Sequence, residues 1–371
     1  MRGAKVVGMV VVVALLVGCG RGSAAADGAV GTATPLPAGV IVAQYAYGSG
    51  DAGGGHGTFL SLFDEQSGRH LRDLVHLDEG SAWDLAGFSR TTDGSIVYAL
   101  AHRPLHGGDV ANPSPEAGSC GGSVYRLSAV TGQVRSLFTV VPDMTIREPA
   151  VSPDGASVAY LSQPCTAAAG HPRTVAVRAV ATGRERRISV PSASAGHVSW
   201  RGDGTELAIT VSFPGQQGGA DAAGYVVVPA DADGAQPRRT VRPAPDPGCL
   251  VTAAAFVAGA VSSGGAVSSG GAVATGADDI VLAEGCPDLV TAPARLVQLV
   301  GSGPDVRWHA STGLCPNGMT LASNPQGGLI VTLTASCGDR EPVDVMQVWS
   351  AQHSREIGRY VNPMQFVTGS T

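Results

Sequence analysis

The feature that most restricts the fold is a pair of turns that returns along the middle of the chain. Glu148-Pro-Ala-Val-Ser-Pro-Asp-Gly-Ala-Ser-Val-Ala-Tyr-Leu-Ser162 sets two short apolar runs around Ser152-Pro153-Asp154-Gly155. Pro presets φ, Asp bonds its own backbone and Gly accepts positive φ, so the segment predicts a hairpin. Thr174 to Val190 predicts a second hairpin, with alternating strands around Thr182-Gly183. The unit then recurs. His197 to Ser212 repeats the first hairpin, with Asp203-Gly204 displaced by 49 residues, and Tyr225 to Val241 repeats the second. Upstream, Gly87 to Leu100 matches the first hairpin, while Ser123 to Arg135 and Thr58 to Arg69 match the second. Weaker copies run from Met319 to Leu333 and from Val345 to Tyr360.

Two hairpins make four strands, and four-stranded units at roughly 40–60 residue spacing are the signature of a β-propeller. Composition agrees. With 52 Gly and 24 Pro in 371 residues, long amphipathic helices are interrupted in nearly every window, while 44 % apolar residues are enough for a core. The expected fold is all-β, a propeller of six four-stranded blades at about 40–80, 81–142, 143–192, 193–245, 246–310 and 311–361, with seven blades as the alternative. Ring closure is expected to mix N- and C-terminal strands, which removes exposed edges. A two-sheet sandwich would leave the paired turns unexplained. The tandem Gly-Ala-Val-Ser-Ser-Gly repeat within 259–277 is expected to be an expanded loop, because loop length costs little entropy.

The Ser152-Pro153-Asp154-Gly155 turn followed by Val158-Ala159-Tyr160 resembles the repeats of the TolB C-terminal propeller, also called PD40 or WD40-like repeats. The resemblance extends over most of residues 40–360. It implies a non-enzymatic module that makes protein–protein contacts at a propeller face. Two features depart from TolB, which carries an α/β domain before its propeller and is a soluble periplasmic protein.

The N-terminus carries an address. Met1 to Lys5 is positive, Val6 to Val17 is an apolar run of 12 residues, and Leu16-Val17-Gly18-Cys19 resembles the lipobox of bacterial lipoproteins. A membrane-spanning helix needs about 20 residues, so 1–18 reads as a signal peptide. Cys19 is the expected lipidation site, and two or three acyl chains such as palmitate would hold the chain on a membrane. Residues 19–39 read as a flexible tether, 40–361 as the propeller and 362–371 as a tail. The expected location is the extracytoplasmic face of the cell membrane. The lysine-poor, Arg- and Ala-rich composition suggests a high-GC bacterium.

Six cysteines remain: Cys120, Cys165, Cys249, Cys286, Cys315 and Cys337. An even number in an exported chain predicts disulfides, with 15 possible connectivities. Nearest-neighbour pairing, at separations of 45, 37 and 22, fits contacts within one sheet or between adjacent sheets.

Chemistry is sparse. Losing Arg2 and Lys5 with the signal leaves 22 Arg against 30 Asp and Glu and no lysine, which disfavours nucleic acid and excludes lysine nucleophiles and P-loops. No Gly-x-Ser-x-Gly occurs. Gly118-Ser119-Cys120-Gly121-Gly122 lacks the pattern that surrounds a protease nucleophile. His102 and His106 lie four apart, but Pro104 between them opposes a helix, and His56 sits in a glycine run. Asp93, Asp154 and Asp203 are explained by their turns, while Asp64-Glu65 and Asp78-Glu79 read as surface pairs. Asp231-Ala-Asp-Gly234 is too short for a calcium loop. Trp83, Trp200, Trp308 and Trp349 read as packing residues. Arg184, Arg186, Arg187, Arg238 and Arg239 read as a solvated sheet edge. No catalytic residue, metal or cofactor is expected. The expected function is that of a monomeric, lipid-anchored scaffold for an envelope protein. A propeller enzyme or small-ligand binder working in the channel, or a sensory lipoprotein acting on a membrane partner, are the alternatives.

Overall fold

The computed structural model describes Leu36 and residues 40–46, 57–64, 67–78, 81–102, 120–165, 171–213, 223–246, 249–257, 279–285, 294–300, 304–311, 320–323, 329–335, 343–350 and 353–361. The described residues form six sheets, each built from strands that follow one another in the chain and pair antiparallel, except that the two-residue strand Gly234–Ala235 joins the third sheet in parallel. The first holds β1 (Val40–Ala46), β2 (Gly57–Phe63) and β3 (His70–Asp78). The second holds β4 (Trp83–Arg90), β5 (Ile96–His102), β6 (Gly122–Leu127) and β7 (Val134–Val140). The third holds β8 (Arg147–Val151), β9 (Ser157–Ser162), β10 (Thr174–Ala179) and β11 (Glu185–Ser189), and the fourth β12 (Ser194–Trp200), β13 (Glu206–Ser212) and β14 (Ala223–Pro229). Between the fourth and fifth sheets runs β15 (Gly234–Ala235). The fifth sheet holds β16 (Leu250–Val257), β17 (Asp279–Gly285), β18 (Arg295–Leu299) and β19 (Val306–Ser311). The sixth holds β20 (Thr320–Ser323), β21 (Leu329–Ala335), β22 (Val343–Ser350) and β23 (His353–Val361).

First strands lie against first strands in succession: β4 on β8, β8 on β12, β12 on β16 and β16 on β20. This radial order is that of a β-propeller. A separate apolar core fills each gap between successive sheets. Because the inner sheets are covered on both faces, their strands alternate in destination rather than in polarity. In β5, Ile96, Tyr98 and Leu100 pack towards the first sheet, while Val97, Ala99 and Ala101 pack towards the third. In β9, Val158 and Tyr160 face the second sheet, and Ala159 and Leu161 the fourth. A continuous apolar run is what such a doubly covered strand requires.

The recurrent turns all lie at one end of the sheets. Asp93, Asp154 and Asp203 each bond the main chain two residues on, at 2.9 Å, and each takes a hydroxyl hydrogen bond, from Thr91, Ser152 and Thr205 respectively. Burial raises all three carboxyls, yet these bonds hold them below the usual range. Successive turns touch: Thr92 Oγ1 donates to Pro153 O at 2.8 Å.

Two expectations change. Gly234-Ala235 does not continue the fourth unit. It pairs in parallel with β11 on the third sheet, Arg238–Thr240 forms a short 3-10 helix, and only the Tyr225–Arg242 bridge lies along β14. Pro237 cannot donate a ladder bond, so the second hairpin of this unit breaks there. Nor do the described sheets mix the termini: β1 pairs with β2, and β20 to β23 pair among themselves.

Candidate functional site

Upstream of the turns, towards the opposite end of the ring, the first strands carry titratable groups in equivalent places. Glu148 and His197 each lie six residues before a turn aspartate, Asp154 and Asp203, and Gly87 holds the same place before Asp93. All three stand at or beside a bulge: the register shifts between Leu85 and Gly87, Arg147 and Ala150, and Ala195 and His197. A bulge re-aims the side chain that an even ladder would have directed elsewhere.

Glu148 adopts φ +47°, uncommon for a residue with a side chain. Gly87 makes this possible. A Cβ there would come within 2.9 Å of Pro149 Cδ and 3.0 Å of Glu148 Cα. Burial pushes the Glu148 carboxyl up to about 7, against the pull of Arg173 and Arg147, and its Oε2 is enclosed without a hydrogen-bond partner. Burial pushes the His197 imidazole down to about 4, although a hydrogen bond to the main chain of Ala254 favours its protonation. Its Nδ1 is enclosed and unpartnered. Arg173 is held beside the start of β12, where its Nε and main-chain N–H both donate to Ser194 Oγ, at 3.4 and 3.2 Å. The spacing of the strands is held by bonds between sheets: Val151 N–H to Ser89 Oγ at 2.8 Å, Trp200 Nε1 to Ala150 O at 2.9 Å and Phe256 N–H to Ser199 Oγ at 3.3 Å. An enclosed carboxyl oxygen, in the field of Arg147 and Arg173, and an enclosed imidazole nitrogen on the next first strand are the candidate binding groups of this region, called the mouth below.

Sequence reasoning passed over Glu148 and His197. The signal was their shared offset from the turn aspartates, which becomes visible when the units are superposed on Asp-Gly. The residues it did single out are dispersed. Cys120 and Cys165 are joined in a disulfide across the same end of the second and third sheets. Cys249 is also disulfide-bonded, while Cys286, Cys315, Cys337, Cys19, His56 and His106 lie outside the described residues. His102 packs edge-on against Trp83. Trp349 is buried, and Trp200 serves the inter-sheet bond above. Arg186 and Arg187 are used internally, on Ala230 O and Glu185, and Arg238 lies over the Phe213 ring.

Two other clusters fall short of a reactive centre. Ser61 Oγ and His70 Nε2 both bond the same oxygen of Asp73, at 2.6 and 2.8 Å, so the imidazole does not address the hydroxyl as a nucleophile relay requires. Asp246, Cys249 and Glu284 converge within 4.8 Å, but the Cys249 sulfur is in a disulfide and Asp246 is paired with Arg295 at 2.6 Å. That set offers no thiolate to a metal.

No family model and no curated protein matches the sequence. Among solved structures, TolB from Acinetobacter baumannii is 13 % identical, with a TM-score of 0.49 over 85 % of this chain and 62 % of TolB. A putative TolB from Agrobacterium tumefaciens is 13 % identical, with a TM-score of 0.45 over 78 % of this chain and 85 % of its own. Prolyl oligopeptidase B from Galerina marginata is 9 % identical, with a TM-score of 0.43, and this chain covers 40 % of it. The chain thus spans less than two thirds of the Acinetobacter TolB and less than half of the peptidase. By its order of sheets it folds as a β-propeller, the architecture it has in common with TolB.

Proposed function

We propose that this chain is a lipid-anchored, extracytoplasmic β-propeller that binds a protein partner in the bacterial envelope. The observation that carries the reading is the order of features at the N-terminus: positive segment, short apolar run, Leu16-Val17-Gly18-Cys19, then a linker into a propeller. The Cys120–Cys165 disulfide supports an oxidising compartment. The mouth formed by Glu148, His197, Arg147 and Arg173 is the docking place we assign to the partner. The enclosed Glu148 Oε2 and His197 Nδ1 favour a second reading, a small-ligand binder that uses this mouth, because buried acceptors gain most from a ligand that donates hydrogen bonds.

Photo-crosslinking in intact cells separates the two. A crosslinking amino acid replaces His171, at the mouth end, in the full chain with Cys19 intact and again with Cys19→Ser; Val130, at the turn end, is the control position. A discrete envelope protein captured from position 171, absent from position 130 and weakened by Cys19→Ser, is expected. Equal capture at both positions would overturn the assigned docking place. No protein adduct, with a small molecule retained by the wild type and lost in Glu148→Gln, would transfer the assignment to the second reading.

A further inference from the structure

The structure gives the anchored propeller an orientation. Leu36 is the described residue nearest to Cys19, and it is docked: its N–H donates to Ala129 O at 2.6 Å and its side chain packs on the core between the first and second sheets. Ala129 belongs to the turn between β6 and β7. That turn lies beside the one between β4 and β5, since Ala129 N–H donates to Ser95 Oγ at 3.2 Å and Arg126 pairs with Asp93. The chain coming from Cys19 therefore joins the propeller at the Asp-Gly turn end.

A second observation points the same way. Four large apolar side chains are exposed among the described residues: Val130, Val141, Val300 and Val306. Val130 stands at the tip of the β6–β7 turn and is 70 % exposed. Val300 and Val306 flank the corresponding turn between β18 and β19, closed by the Val300 N–H bond to Asp305 O at 2.8 Å. Three of the four thus stand at the turn end; Val141, after β7, is at the mouth end. Val300 and Val306 are 44 % and 45 % exposed, and exposed valines cost least where the surrounding medium is partly apolar. Of the three turn carboxylates at this end, Asp93 is paired with Arg126 and Asp203 with Arg201, while Asp154 is held by bonds within its own turn.

Length adds a bias. Seventeen residue steps separate Cys19 from Leu36. They span about 60 Å at full extension and about 23 Å as a random coil. A seven-residue strand is about 23 Å long. Turning the mouth to the membrane would require the linker first to climb a blade of that height, using most of its coil dimension.

We propose that the Asp-Gly turn end is the membrane-facing surface, that Val130, Val300 and Val306 touch the lipid interface, and that the mouth with Glu148 and His197 is held outward. The orientation rests on the proposed anchor at Cys19, and the test separates the two. The full chain, with a fluorescent amino acid replacing Val130 or His171, is bound to phosphatidylcholine vesicles carrying an acceptor-labelled lipid. Energy transfer from position 130 is expected to be at least twice that from position 171. Leu36→Ser, which frees the linker from the second sheet, should bring the ratio towards one. If Cys19 proves unmodified the anchor reading fails, and the same chain held through an N-terminal hexahistidine on nickel-chelating lipid still tests the orientation. Equal transfer from both positions, or more from 171, would overturn it, as would a ratio that Leu36→Ser leaves unchanged.

Discussion

Three glycines separate the two costs that a methyl group can meet in this fold. Gly87 has φ +127° and no room: a Cβ would lie 2.9 Å from Pro149 Cδ, 3.0 Å from Glu148 Cα and 3.2 Å from Glu148 N. Gly234 has φ +78° with nothing within 4 Å, so alanine there meets conformational strain alone. Gly224 has no positive φ, but its Cβ would lie 2.3 Å from Arg242 O and 2.9 Å from Val241 Cγ1. Backbone strain costs about 1–3 kcal/mol, and overpacking typically about 1–3 kcal/mol. Gly234→Ala should therefore lose about 1 kcal/mol, near the low end because its surroundings can relax. Gly224→Ala should lose about 2 kcal/mol, together with the Tyr225–Arg242 bridge. Gly87→Ala should lose about 2–5 kcal/mol, since both costs fall on it and its neighbours are the Pro149 ring and main-chain atoms of another sheet. Urea unfolding of the three variants, read as shifts in midpoint at constant slope, measures the order. If Gly87→Ala costs no more than Gly234→Ala, the close approach of the second and third sheets at Glu148 is wrong, and with it the geometry of the mouth.

Other perturbations follow from the same contacts. Glu284 is fully buried, and burial together with the Asp246 charge pushes its carboxyl up to about 7, against a main-chain hydrogen bond at Asp246 and the Arg295 charge. The folded state thus holds a proton that the unfolded chain releases near 4.5, so stability contributed by this group falls as pH rises from about 4.5 to 7. Glu284→Gln should match the wild type near pH 5 and exceed it by about 3 kcal/mol at pH 8 in urea unfolding. His197 has the opposite sign, since its folded value lies below its ordinary one: its neutral form favours folding above about 6.5, an advantage lost as pH falls towards 4. His197→Gln should remove that acid-side loss in the same titration. Trp200→Phe leaves Ala150 O without its donor and should cost about 1–3 kcal/mol in the same assay. Replacing Cys120 and Cys165 with serine opens a loop of 45 residues and should cost about 4 kcal/mol on the chain-entropy scale, read as a lower thermal midpoint.

The fold was legible where its determinants are local. Ser152-Pro153-Asp154-Gly155 and its copies state their turn in four residues, and their recurrence after 61 and 49 residues states that each unit stacks on the next. Less legible was anything set by the neighbouring unit. Nothing near Gly234 says that it will leave β14 for β11, because the edge it joins is more than forty residues earlier. Glu148 and His197 looked like ordinary hairpin residues, because bulges and tertiary contacts, not strand periodicity, direct them. The crowding of Gly87 by Pro149 is likewise invisible until two sheets are brought together. Arg184, Arg186, Arg187, Arg238 and Arg239 read as a solvated edge, yet Arg186 and Arg238 are committed to Ala230 O and to the Phe213 ring.

The anchored-propeller account meets its most direct test in the mass of the N-terminal peptide of the mature protein, isolated from membranes of the cells that make it. The account predicts a chain that begins at Cys19, with the mass of a diacylglyceryl group on its sulfur. A chain that retains Met1 to Gly18, or one that begins elsewhere with Cys19 unmodified, would contradict it.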